Sequence, residues 1–142
     1  MSLDIIDKKL NLLVNNHQTR DPFKLAHELG VKIILEDLGG IYGYYNKELR
    51  IKFIHLNNRI SEDYLNFTCA HELAHAIFHS DSNTPFLSSQ SLTSSLKIEM
   101  EANYFASNLR IDGSHKDLGI DSKYTILDYY NLPLEMERFL YK

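Results

Sequence analysis

The run His71-Glu72-Leu73-Ala74-His75 sets two imidazoles four residues apart, with a carboxylate directly after the first. At about 100° of helical rotation per residue the rings lie roughly 40° apart on one face, and Glu72 sits on their flank. Two imidazoles aimed at one point suit a divalent metal ion. A carboxylate adjacent to a ligand, without being one, suits proton transfer to and from water at that ion. The chemistry indicated is metal-assisted hydrolysis. A catalytic metal usually takes three protein ligands and keeps its fourth position open, so another element must supply the third. The segment from Leu96 to Leu109 carries an apolar stripe of Ile98, Ala102, Phe105, Ala106 and Leu109, flanked by Glu99 and Glu101. These two carboxylates lie about 200° apart, so at most one is expected to turn toward the histidines, and the helical wheel does not choose between them.

Positioning these groups falls to a helix predicted over residues 62–79. Ser61 is its N-cap, and acidic Glu62 and Asp63 sit in its positive first turn. Tyr64, Thr68, His71, His75, Phe78 and His79 share one sector of this helix, while Leu65, Cys69, Leu73 and Ala76 share the opposite one. That pattern predicts an apolar back that packs and a polar front that faces a cleft. Upstream, Leu3, Ile6, Leu10, Leu13 and Val14 recur at helical spacing, and Asp21-Pro22 opens a second helix that Gly30 closes. The short echo His27-Glu28-Leu29 has no second histidine and reads as that helix's end. Val31 to Leu35 reads as a strand, and Ile41 to Tyr45 with Leu49 to His55 as a hairpin around Asn46-Lys47-Glu48. Residues 80–95, rich in Ser, Thr and Asn, separate the two site helices as either a flap or a disordered connector. Tyr124 to Tyr130 and Pro133 to Tyr141 read as two short helices, a helix-turn-helix in outline that packing against the core explains better.

The chain's 142 residues suit a single domain, 1–142, and a hydrophobic share of 44% with 9 Tyr and 7 Phe supports a substantial core. The expected class is α+β, a small three-stranded antiparallel or mixed sheet packed against a bundle of helices. No stretch approaches the roughly 18 apolar residues of a membrane span. The lone Cys69 excludes an internal disulfide, and no apolar leader opens the sequence, so a cytoplasmic location is expected. A net charge of -4 argues against broad phosphate contact, so neither a membrane nor nucleic acid is an expected direct partner.

Three blocks carry a family likeness: Asn66-Phe67-Thr68-Cys69-Ala70-His71-Glu72-Leu73-Ala74-His75, then Phe78-His79, then Glu99-Met100-Glu101-Ala102-Asn103-Tyr104-Phe105-Ala106. Together with Asp21-Pro22, Leu25-Ala26 and Leu29-Gly30-Val31 they span roughly residues 21–110, and their order resembles the ImmA/IrrE family of zinc metallopeptidases. The chain departs from that pattern at Ala74, where glycine is common, and at Ser107 to Ile111, which lacks a Leu-Leu-x-Pro-like ending. The resemblance implies a zincin-like core, Zn2+ as cofactor, His71 and His75 as ligands and Glu72 as the catalytic carboxylate. The glutamate directly before Ala102-Asn103 matches the third ligand, which favours Glu101 over Glu99. His79, Asn103 and Tyr104 are expected to brace the ligands or face substrate, with Tyr104, His115 and Tyr124 weak candidates for an oxyanion donor. Ile51 to Ile54 is the expected edge strand for extended substrate. The implied role is a regulatory endopeptidase that cleaves or inactivates a helix-turn-helix repressor of a mobile element, prophage or stress regulon. Two other readings are a zinc-containing anti-repressor that acts by binding alone and a toxin-antitoxin component.

Overall fold

A computed structural model describes residues 3–140. The elements run α1 (Leu3–His17), α2 (Pro22–Glu28), β1 (Lys32–Glu36), β2 (Gly43–Glu48), β3 (Ile51–Asn57), α3 (Glu62–Phe78), α4 (Lys97–Arg110), α5 (Ser114–Asp117) and α6 (Lys123–Tyr130). Two 3-10 turns, Gln90–Thr93 and Leu134–Phe139, accompany them. The last two residues of the chain, including the end of the second C-terminal helix expected from sequence, lie outside the described residues. The class is the α+β one expected, and the sheet is mixed.

The caps follow the local chemistry. Asp21 accepts from Phe23 N at the start of α2 and Ser61 accepts from Tyr64 N at the start of α3, each satisfying an otherwise orphaned donor. The hairpin turns later than its polar residues suggest. Asn46, Lys47 and Glu48 remain in β2, and Leu49 and Arg50 make the reversal with φ of 49° and 70°. Two consecutive left-handed residues give the twist of a two-residue hairpin loop, here without the usual Asn or Gly. That absence hides the turn in the sequence.

Strand order is β1-β3-β2, with β1 parallel and β2 antiparallel to β3. Ile51 to Ile54 therefore opens the central strand, paired with β2 throughout and with β1 from Phe53 onward, and is not the edge strand expected. The free edge nearest the connector belongs to β2, where Leu87 N donates to Gly43 O at 2.9 Å and Tyr42 N to Leu87 O at 2.7 Å. Gly43 is glycine for a packing reason: a Cβ there would lie 2.5 Å from His55 O and 2.7 Å from Thr68 Cγ2. The close approach brings β2 against the first half of α3.

The segment between α3 and α4 is neither a free flap nor disordered. Leu87 and Leu92 insert into the core, and the Arg138 guanidinium donates to Leu92 O and Ser94 O. At the C-terminus, Met136, Phe139 and Leu140 are buried in one 3-10 turn and the residue after it. Among the described residues the second C-terminal helix is thus a packed 3-10 strap, with no helix-turn-helix. Among the described residues no helix is long and apolar enough to cross a membrane.

Candidate metal centre

All residues of α3 from Phe67 to Ala76 are buried, so its polar front does not face an open cleft. α4 covers it. From Glu99 onward α4 is buried at Glu99, Glu101, Ala102, Asn103, Tyr104, Phe105, Ala106 and Ser107, and the polar sectors of the two helices meet along a seam.

His71, Glu72 and His75 bring one potential ligand atom each within 4.8 Å of one another. The second carboxylate at this point is Glu99. Its Oε1 lies 3.3 Å from His71 Nε2 and its Oε2 lies 2.8 Å from His75 Nε2. Glu101, favoured from the resemblance, faces elsewhere: its Oε1 accepts from His79 Nε2 at 2.8 Å. Only Glu99 turns toward His71 and His75, in keeping with the expectation that at most one could, and Glu101 reaches His79 instead. His79 is the C-cap, with φ -131° and ψ 38°, and its departure from helical geometry takes its ring out of the phase the wheel assumes. The sequence signal that selects Glu99 is its spacing to Asn103. Residues four apart share a helix face, and Asn103 Oδ1 accepts from His71 Nδ1 at 2.7 Å.

That bond decides more than orientation. An amide oxygen can only accept, so His71 carries its proton on Nδ1 and presents the Nε2 lone pair to the seam. At His75, Nδ1 lies 3.0 Å from His79 Nδ1, and Nε2 again faces inward. His71 Nε2, His75 Nε2 and both oxygens of Glu99 have no hydrogen-bond partner in spite of the short separations, and neither do the two oxygens of Glu72. Buried polar atoms left this way are costly. Lone pairs pointed at one another are stabilised by a cation between them. Ligand bonds of about 2.0 Å in a tetrahedral site put neighbouring donor atoms a little over 3 Å apart, close to the separations at Glu99. The donor set, two imidazoles and a carboxylate, fits a divalent metal ion.

Electrostatics separate the two carboxyls. Burial pushes Glu72 up to about 8, with Glu99 adding to the rise and His71 opposing it. Burial would raise Glu99 too, but its contacts with His71 and His75 and their charge bring it down to about 2. Burial likewise lowers His75 to about 4 against the pull of Glu99. At His71 burial is outweighed by the Glu99 contact and by the charges of Glu72 and Glu99, so its pKa rises. One carboxyl is thus a fixed anion suited to ligation, and its neighbour is a proton carrier near neutrality.

The remaining candidates lie apart. Tyr104 OH donates to Asp7 Oδ1 of α1 at 2.7 Å, His115 Nδ1 meets Tyr130 OH at 2.7 Å, and Tyr124 is exposed. None is brought to Glu72.

Residues 26–136 match the family described as the IrrE N-terminal-like domain. The chain is 35% identical over 106 residues to the uncharacterized immunity region protein 2 of Bacillus phage phi105, an alignment covering 74% of this chain and 67% of that one. It is 27% identical over 135 residues to the metallopeptidase ImmA of Bacillus subtilis (strain 168), covering 90% and 79% respectively.

Proposed function

Starting from the fact that this chain belongs to the IrrE N-terminal-like domain family, we propose that it is a zinc-dependent regulatory endopeptidase whose substrate is a helix-turn-helix repressor. The observation that carries this reading is the convergence of His71 Nε2, His75 Nε2 and the Glu99 carboxylate as buried atoms without partners, with Glu72 beside them. His71, His75 and Glu99 would hold the ion. When bound, zinc supplies Lewis acidity that polarises a scissile carbonyl and makes water a stronger acid. The protein's own part belongs chiefly to Glu72. Its carboxylate accepts a proton from the attacking water and passes it to the leaving amide nitrogen, a role that suits a carboxyl set beside the two imidazoles with neither oxygen engaged elsewhere.

Extended substrate is best received by the free edge of β2. Beyond Gly43 that edge borders a cavity of about 370 Å³ lined by Tyr45, Lys47, Ser80, Asp81, Thr84 and Phe86. Because Glu72 is wholly buried, substrate entry requires a local opening at the α3–α4 seam. The repressor as substrate draws support from the immunity-region relative, and the cytoplasm is where such a repressor would be met.

Incubating the full chain with zinc and a repressor encoded beside it should give discrete fragments, abolished by a chelator and by Glu72→Gln. An intact repressor in zinc-loaded protein would sink the proposal. The complete burial of Glu72 and both imidazoles favours one second reading, a metal-stabilised module that neutralises the repressor by contact alone. Derepression that survives Glu72→Gln would select it.

A further inference from the structure

The two imidazoles that converge on Glu99 are braced differently. His71 is fixed in one step by Asn103. His75 is fixed in two, through His79 to Glu101, and all three of these residues are buried. Hydrogen-bond direction runs one way along this chain. The Glu101 carboxylate accepts, so His79 Nε2 at 2.8 Å must donate. A neutral His79 then has only a lone pair on Nδ1, which at 3.0 Å can only accept from His75 Nδ1. His75 is left with its lone pair on Nε2, where Glu99 Oε2 stands 2.8 Å away. The backbone supports the arrangement. His79 N donates to His75 O at 2.9 Å, holding the cap one turn beyond His75, and its non-helical φ and ψ fold its ring back, with centroids 5.1 Å apart at 55°.

We propose that Glu101 and His79 form a positioning couple that sets the tautomer and ring orientation of His75, so that Glu101 acts on the metal through two imidazoles and not as its ligand. This rests on the reading that His75 holds the ion and goes beyond it by assigning a role to two residues outside the donor set. Such outer partners typically change metal affinity by roughly 10–100-fold. The geometry also says why a histidine is needed at position 79. It converts a distant carboxylate into a neutral acceptor within reach of Nδ1, which avoids placing a second buried anion directly on the ligand.

The test is equilibrium competition for zinc between the full chain and a fluorescent chelator, with thermal unfolding of the metal-free forms as the control for folding. His79→Ala should weaken zinc by roughly 10–100-fold, and His79→Gln, whose amide oxygen can accept from Nδ1, should recover part of the loss. Glu101→Ala should weaken zinc by less than Glu99→Ala does. Unchanged affinity in His79→Ala would overturn the proposal. So would a Glu101→Ala loss equal to that of Glu99→Ala, since Glu101 would then be a ligand. If His79→Ala does not fold, a nitrogen-15 spectrum of the zinc-loaded wild type decides the matter. The imidazole proton of His75 belongs on Nδ1, and finding it on Nε2 overturns the couple. Wild type that binds no zinc at all would remove the metal centre itself, an outcome distinct from a metal centre indifferent to His79.

Discussion

Two places among the described residues bury a histidine near a carboxylate, and they differ in what is left over. At the α3–α4 seam, His71, His75, Glu72 and Glu99 keep partnerless atoms pointing at one another. In α5, His115 is also buried but its surroundings are satisfied. Tyr130 OH meets His115 Nδ1 at 2.7 Å, accepts from the backbone of Gly113 and His115, and donates to Asp112 Oδ1. His115 also lines a cavity of about 330 Å³, whereas the seam is closed. The contrast shows that neither burial nor an adjacent cavity identifies a metal centre here. Unspent lone pairs do, because satisfied networks have nothing to offer an ion.

The comparison breaks most visibly if one side chain is removed from each cluster. Glu99→Ala should abolish stoichiometric zinc binding, a larger effect than the roughly 10–100-fold cost of losing an outer partner, whereas His115→Ala should leave the metal content of the isolated protein unchanged. Metal analysis of both variants checks this. Equal loss would erase the distinction between the two clusters. Next in size is Glu72→Gln, which should keep its zinc and lower repressor cleavage by about 10²–10⁴-fold, the range of a general acid–base. A variant that cleaves at the wild-type rate would reassign the proton transfer.

A pH series sharpens the comparison, since the most strongly perturbed carboxyls lie in the seam. In the metal-free protein Glu72 binds its proton more tightly folded than unfolded, its pKa moving from 4.5 to about 8. Between those values the folded state holds more protons, so stability falls as pH rises through that window. His71, also raised, loses its stabilising contribution as pH climbs through its elevated value, adding to the same slope. Glu99 works at the other end. Depressed from 4.5 to about 2, it contributes stability that is present above 4.5 and lost as pH falls toward 2. Chelated protein should therefore unfold at lower temperature at pH 8 than at pH 6. Glu72→Gln should flatten most of that slope, an effect of up to a few kcal/mol, because each tenfold change in proton affinity is worth about 1.4 kcal/mol. A slope unaltered in the variant would place its origin elsewhere.

How legible this centre is from sequence depends on which elements it draws upon. α3 and its cap are readable because Ser61, the acidic first turn and the paired histidines are local signals, and the histidine spacing survives any packing. The choice of carboxylate is not, because it depends on how α4 rolls against α3. The roll is visible only once Asn103 is known to face His71. His79 escapes the wheel for a related reason, since a C-cap leaves the 100° progression on which the wheel relies. In the sheet, strand content is clear but order is not. β3 becomes central because β1 pairs with it in parallel across the hairpin, a long-range choice that no local pattern encodes. The Ser and Thr content of the connector suggests a loose segment. Two leucines, Leu87 and Leu92, decide its packing.

The close fit of β2 against β3 and α3 provides the next, smaller test. Gly43→Ala places a methyl group 2.5 Å from a backbone carbonyl in the central strand, which cannot swing aside as a side chain would. The expected cost is about 1–3 kcal/mol of unfolding free energy, read from denaturant titration, with no change in zinc stoichiometry because no ligand moves. Should the variant be as stable as wild type, β2 would have to lie farther from α3 than the structure places it.

The smallest expected effect tests the satisfied cluster directly. Tyr130→Phe removes one hydroxyl and with it the acceptor for Gly113 N and His115 N and the partner of His115 Nδ1. Asp112, held below its ordinary pKa first by Ser114 and only in part by Tyr130, retains most of its stabilisation. Of the two orphaned backbone donors, Gly113 N is only part-buried and can turn to water while His115 N is buried, so the loss should be about 1–2 kcal/mol, measured as a shift in denaturation midpoint. Zinc affinity should be unchanged. A Tyr130→Phe variant that lost zinc would couple the two clusters energetically, and the His115 side would then belong to the metal centre after all.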